Sequence, residues 1–280
     1  MTALTALEAP PEAPRSTFTR TFGVLCRRDA LLLREQLVTF LLRTIMQPLL
    51  MTFVFAFVLP SVGSAPPGPA GGAMSFATVL VPGLVAISAT TQAMNAAMTP
   101  LLIELAYDDI EDRVLAPIPV WVVAAQKIVS AGTQGVLSGA LVFPIVLTVH
   151  AKGQAPQVHV HNWPLFVVVL LLSGMLAASI GLIFGTAFDA MKANALFMLF
   201  ALPLMMFGCV YFTWSALHTI RWLQIAVLAN PVVYMSEGLR AALTPQVGHM
   251  PTWILLLVLT GGLLGLGGLA TRLFVRRVLA

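Results

Sequence analysis

Charge is what this sequence has least of. Only 9% of its 280 residues are Asp, Glu, Lys or Arg, 59% are hydrophobic and the mean hydropathy is +0.93. A soluble domain carries about 25% charge, so this chain has too little polar surface to hold its core in water. Cysteine is nearly absent. Cys26 and Cys209 make no disulfide framework and read as small packing residues. The histidines, His150, His159, His161, His218 and His249, all fall in segments expected outside the membrane core. An intramembrane metal site or a Ser-His hydrolase therefore has no histidine to use. The HxH of His159 and His161 reads as a solvated loop. None of the lysines, Lys127, Lys152 and Lys192, follows a glycine, which excludes a GxxxxGK phosphate loop. Acids are missing from the long apolar runs: Glu104, Asp189 and Glu237 lie at or beyond their ends. A self-sufficient ion-coupled carrier would want such a group at the bilayer midplane.

What the chain has instead is length without charge. From Thr44 to Ile103 sixty residues pass without an ionisable carboxylate, lysine or arginine. Further gaps separate Lys127 from Lys152, Lys152 from Asp189, Lys192 from Arg221, and Arg240 from Arg272. Each holds the ~20 apolar residues that a helix needs to cross about 30 Å of hydrocarbon. The first holds two crossings, because SVGSAPPGPAGGA, Ser61 to Ala73, cannot continue a helix. The expected fold is all-α: a polytopic membrane protein with six spans near 42–60, 76–103, 119–149, 163–187, 194–217 and 252–274. Six spans put both termini on one side. If that side is the cytoplasm, twelve cations fall inside and only Lys152, Arg221 and Arg240 outside, the bias that cytoplasmic loops carry. The pI near 9.5 thus points to the inner membrane face and not to nucleic acid. Trp121, Trp163, Trp214 and Trp253 fall at expected span ends, which fits either an aromatic belt at headgroup level or packing within the core.

Three segments outside the spans carry information. Residues 1–14 read as a disordered lead-in, and 15–280 as one membrane domain. Phe18 to Gln36 forms an amphipathic pattern, with Phe18, Phe22, Leu25, Leu32 and Leu33 on one side and Arg20, Arg27 and Arg34 at seven-residue spacing on the other. This fits a helix lying in the interface against anionic headgroups, although Asp29 interrupts the apolar side; an ordinary extension of the first span is the alternative. Between spans two and three, Glu104, Asp108, Asp109, Glu111, Asp112 and Arg113 make an acidic run that ends at Pro117 and Pro119. It reads either as a docking element for a basic partner or as a solvated turn. Before the last span, Leu228 to Leu243 places Asn230 as an N-cap, Pro231 at the first helical position, and Glu237 three residues before Arg240. The stretch from Leu217 to Met250 is too apolar for a loop in water and too broken to cross twice, which predicts half-helices that dip into the membrane and return.

With these residues in place, the chain resembles the permeases of the ABC-2 transporter family, near the daunorubicin-resistance type. The resemblance rests on the basic interfacial helix, six spans, LAPIP (Leu115 to Pro119) after the second span, and the NPxxY…LR element of Asn230, Pro231, Tyr234, Leu239 and Arg240. The acidic run YDDIEDRVL departs from the family in lacking a glycine. The resemblance implies a half-transporter of the bacterial inner membrane, with both termini cytoplasmic. Two permease copies, identical or sister chains, would work with two separate ATP-binding cassette subunits, which would bind the ATP and magnesium; this chain would hold no cofactor and catalyse nothing itself. Glu104 to Arg113 would couple to the ATPase and Asn230 to Leu243 would form the second half-helix. The expected cargo is an amphipathic drug-like or lipid-like compound. A polysaccharide or lipid-linked glycan exporter and an ion-coupled carrier are the alternatives.

Overall fold

The computed structural model of the protein describes residues 15–62, 76–106, 119–148 and 158–279. The expected lead-in and most of the turn after the first span lie outside these residues. Among the described residues the architecture is helical throughout, without strands. Helix α1 is Arg15–Glu35 and α2 is Leu37–Thr52, the latter running on through a π-helical turn at Phe53–Val58 to Ser61. Then come α3 (Phe76–Ala106), α4 (Val120–Thr148), α5 (Trp163–Ala187) and α6 (Ala190–Met206). After a 3-10 turn at Trp214–Thr219, the chain continues as α7 (Arg221–Ala226), α8 (Pro231–Leu243) and α9 (Thr252–Leu279). Five helices are long and apolar enough to cross a membrane, over Leu37–Phe55, Thr78–Glu104, Val120–Val146, Trp163–Ala187 and Thr252–Val278.

Local chemistry starts and stops these helices. Asn162 caps α5, its side-chain oxygen accepting from the Leu165 amide at 3.0 Å, with Pro164 in the first turn. The fifth expected span, near 194–217, is shorter than its apolar run. Helix α6 ends at Met206 because the amides of Phe207 and Gly208 turn back to the carbonyls of Pro203 and Met205, and Cys209 then adopts φ 52°. That left-handed conformation breaks the helix. Apolarity continues past Met206, but helicity does not. The 17 residues of α6 reach about 25 Å, less than the hydrocarbon thickness.

The bundle has two distinct ends. Arg277 meets Asp189 at 3.2 Å, Lys127 meets Glu104 at 2.7 Å, and Gln126 meets Asp29 at 2.7 Å. These contacts gather α1, the last turn of α3, α4 about two turns from its start, the α5–α6 junction and the end of α9 at one charged end. The opposite end holds the start of α5, the end of α6 and the whole 208–250 segment, with His161 donating its amide to the Ala242 carbonyl at 3.1 Å.

Helix α3 is the hub, packed against α2, α4, α5, α6 and α8, and its residues from Val79 to Ile87 are all buried. Lipid tails are as apolar as leucine, so helices in a membrane associate through close packing and interhelical hydrogen bonds. Small residues supply the closeness. A Cβ on Gly135 of α4 would lie 2.6 Å from the Ala89 carbonyl oxygen of α3, and one on Gly174 of α5 would lie 2.6 Å from that of Gly132. A Cβ on Gly181 of α5 would collide with the Met94 carbonyl of α3. Beside these contacts the Ser88 and Ser138 hydroxyls bond at 2.7 Å. The outer faces are apolar: Met198, Leu199 and Leu202 on α6 and Leu257 and Leu264 on α9 are all more than 60% exposed, a surface suited to lipid.

Replacing Gly181 with valine should therefore force α5 off α3, costing at least the about 1–3 kcal/mol typical of overpacking. Thermal unfolding of the purified protein should show a clear drop, whereas Gly268→Ala, at a position with nothing within 4 Å, should leave it unchanged.

Candidate functional site

Helix α8 is built as the sequence predicts and buried more deeply than expected. Asn230 caps it, accepting from the Val232 amide at 2.9 Å while its own Nδ2 donates to the Leu204 carbonyl at 2.7 Å. Pro231 occupies the first position. Tyr234 donates its hydroxyl to the Leu228 carbonyl at 2.9 Å, and Ser236 donates to the Gly208 carbonyl at 2.7 Å. Val232, Val233, Met235, Leu239 and Leu243 are wholly buried, so α8 is a core element and not a loop in water. It reaches far into the bundle: the Thr90 hydroxyl, near the middle of α3, lies 3.2 Å from the Met235 sulfur. The companion half-helix is short. Only the 3-10 turn, the six residues of α7 and a second 3-10 turn at Val227–Ala229 precede α8, and Trp222 and Ile225 of α7 are exposed.

At the centre Glu237 and Arg240 form an ion pair with neither side chain exposed. Glu237 also accepts from the Trp214 amide at 3.0 Å and the Met250 amide at 3.2 Å, while Arg240 donates to the Cys209 carbonyl at 3.1 Å. One pair thus ties the chain leaving α6, α8 itself and the chain entering α9. Arg240 Nε alone lacks a partner among the described residues.

The charged end assembles differently. Glu104 closes α3 and pairs with Lys127 of α4, both side chains mostly buried. Asp29, the residue that broke the apolar side of α1, accepts from Gln126 of α4 at 2.7 Å and pairs with Arg28 at 3.2 Å. It is a tether from α1 to α4, and a search for charge opposite an amide would have found it. Burial, aided by the Asp29 carboxylate, pushes the Cys26 thiol up, which lowers its thiolate fraction and reactivity. Arg27 and Arg34 are exposed, and nothing is described of the Arg20 side chain. Asp108, Asp109, Glu111, Asp112 and Arg113 lie outside the described residues.

A sequence model of the ABC-2 type transporter family matches residues 20–244, from the interfacial helix through α8. The chain belongs to the ABC-2 type transporter family. An inner membrane transport permease, YadH, of Escherichia coli K12 is 28% identical over 169 residues, which is 59% of this chain and 62% of that protein. The YadH proteins of Escherichia coli O157:H7 and Shigella flexneri match to the same extent. The aligned region thus spans about three fifths of these relatives' length. In this ABC-2 chain both the basic helix and the NPxxY element fall within the family match.

Removing one partner of a buried ion pair costs about 3–5 kcal/mol, because it strands the other charge. Arg240→Met should therefore lower thermal stability sharply. Adding Glu237→Gln should recover much of the loss, and a double variant no better than the single would show that the two charges are not coupled.

Proposed function

We propose that this chain is the membrane-spanning permease subunit of an ABC exporter of the bacterial inner membrane, moving an amphipathic drug-like or lipid-like compound outward. The ATP is hydrolysed by two separate ATP-binding cassette subunits, and two permease copies, identical or sister chains, complete the transporter. The observation that carries this reading is the charged end of the bundle. It collects α1, the Glu104–Lys127 pair and the Asp189–Arg277 contact on one face of a family member whose sequence has no phosphate loop. That end faces the cytoplasm, as the excess of cations on it favours, and it receives the ATPases. Helix α6 together with the apolar chain that follows it completes the sixth crossing, and α8 dips from the outer side to the level of Thr90. Nucleotide-driven closure of the ATPases can shift the permease between states only through contacts that differ between those states. The route for such contacts runs through the ends of α3 and α4, where Glu104 pairs with Lys127.

Copurification tests the partnership. A tagged permease should retain an ATPase encoded beside it, and reversing Asp108, Asp109, Glu111 and Asp112 together to Lys should release it while the permease still inserts. Single reversals should do little, since exposed pairs contribute only about 0.2–1 kcal/mol each. Full retention and full substrate-stimulated hydrolysis in the fourfold variant would pass the docking role to α1. Transport by the purified permease alone under an ion gradient would overturn the ABC reading itself.

Orientation is checked separately. In a background lacking Cys26 and Cys209, single cysteines at Gly68 and Gln157 should react with an impermeant thiol reagent in intact cells, and one at Asp109 should not. Labelling at position 109 from outside would reverse the topology.

A further inference from the structure

Three glutamines at the same depth of three different helices line one cavity. Gln47, Gln92 and Gln134 each sit one residue past the midpoint of their spans, Leu37–Phe55, Thr78–Glu104 and Val120–Val146. All three border a cavity of about 650 Å³ between α1, α2, α3 and α4. Their side chains form no hydrogen bond among the described residues. Gln92 and Gln134 are half-buried and Gln47 is exposed; amides without a partner are costly in hydrocarbon, so three of them bordering one open recess at mid-depth mark a polar-lined groove rather than a packing seam. Asn95 continues the polar wall toward the charged end, giving its Nδ2 to the Thr91 carbonyl at 2.8 Å and keeping its side-chain oxygen as an acceptor.

The charges around the cavity select against ionic ligands. Among the described residues four charged ones line it, and they pair: Arg28 with Asp29 at 3.2 Å and Lys127 with Glu104 at 2.7 Å. Amides donate and accept, so they suit hydroxyl, amide and carbonyl groups. Apolar lining is present beside them in Leu32, Phe40 and Ile103, of which Leu32 and Ile103 are about half exposed. The volume lies within the range of small-molecule sites.

From this geometry we infer that the cavity binds the uncharged, hydrogen-bonding head group of an amphipathic molecule, a polyhydroxyl or amide head with an apolar tail, admitted at the charged end of the bundle. This deepens the export reading by naming the class of cargo, and it assigns Gln47, Gln92 and Gln134 as the head-group ligands. Anionic and cationic heads gain little here, since each charged side chain described on the wall already has its opposite.

The test is photolabelling of the full chain in phosphatidylcholine nanodiscs without nucleotide. The probe is an alkyl glucoside carrying a diazirine in its chain, with alkyl sulfate and alkyl trimethylammonium probes of the same chain as comparisons. Mass spectrometry should place saturable glucoside labelling on α2, α3 and α4, and the two ionic probes should label there no more than background. Gln92→Leu and Gln134→Leu should each weaken half-saturation by about fivefold, the loss of roughly one hydrogen bond. Gln92→Asn, which keeps the amide and tests the site should a leucine variant misfold, should stay within about twofold of the parent. Unchanged labelling in folded leucine variants, or preference for either ionic probe, would overturn the inference. Because labelling is read on the permease alone, a chain that retained no ATPase would sink the export reading and leave this result standing.

Discussion

A carboxylate and a guanidinium shut away from all solvent set the terms for half of this molecule. Glu237 and Arg240 cannot exist in a low-dielectric interior singly, and their remaining capacity must be met by backbone groups. The backbone groups that meet it come from Cys209, Trp214 and Met250. Those bonds dictate where the chain leaving α6 turns, where α8 lies and where α9 begins. The irregular 208–250 segment is tolerated because most of its buried polar atoms are met internally, Arg240 Nε being the exception. Its apolar side chains are then free to pack on α3, α5 and α9.

The rest of the bundle depends on proximity. Gly135, Gly174 and Gly181 bring backbones within a carbonyl's reach of one another, so α3, α4 and α5 form a tight unit. Helices α2 and α6 contact it more loosely, whereas α9 packs along α5 as closely as α4 does; all three present apolar faces outward. A tight unit with looser neighbours is the division of labour a moving transporter needs, since packed cores shift between discrete arrangements rather than deforming smoothly. The three mid-depth glutamines lie on the boundary, two on the tight unit and one on α2.

Much of this was legible in the sequence. Gaps between charges located the spans because hydrocarbon penalises charge directly, and the Asn230–Pro231 start and the pairing of Glu237 with Arg240 followed from local helix rules. The end of α6 was not legible, because the run through Trp214 stays apolar while Gly208 and Cys209 turn the chain. Asp29 looked like a defect in α1 until Gln126 was seen opposite it. Gln47, Gln92 and Gln134 escaped notice because a search for charge treats an uncharged amide as blank. Their meaning lies in convergence across three helices, which is a property of the fold and not of any one segment.

The contrast between the two ends of the bundle bears on how the protein is made. In the proposed orientation each charge on the far end crosses the bilayer during insertion, and within the described residues that end carries few: Arg221, and the pair of Glu237 and Arg240. Those last two stand one helical turn apart on α8. A newly synthesised hairpin can pair them before it crosses, so that they travel as a neutral unit at a fraction of the cost of two separate ions. The bond that holds the finished structure together would thus also ease its passage into the membrane.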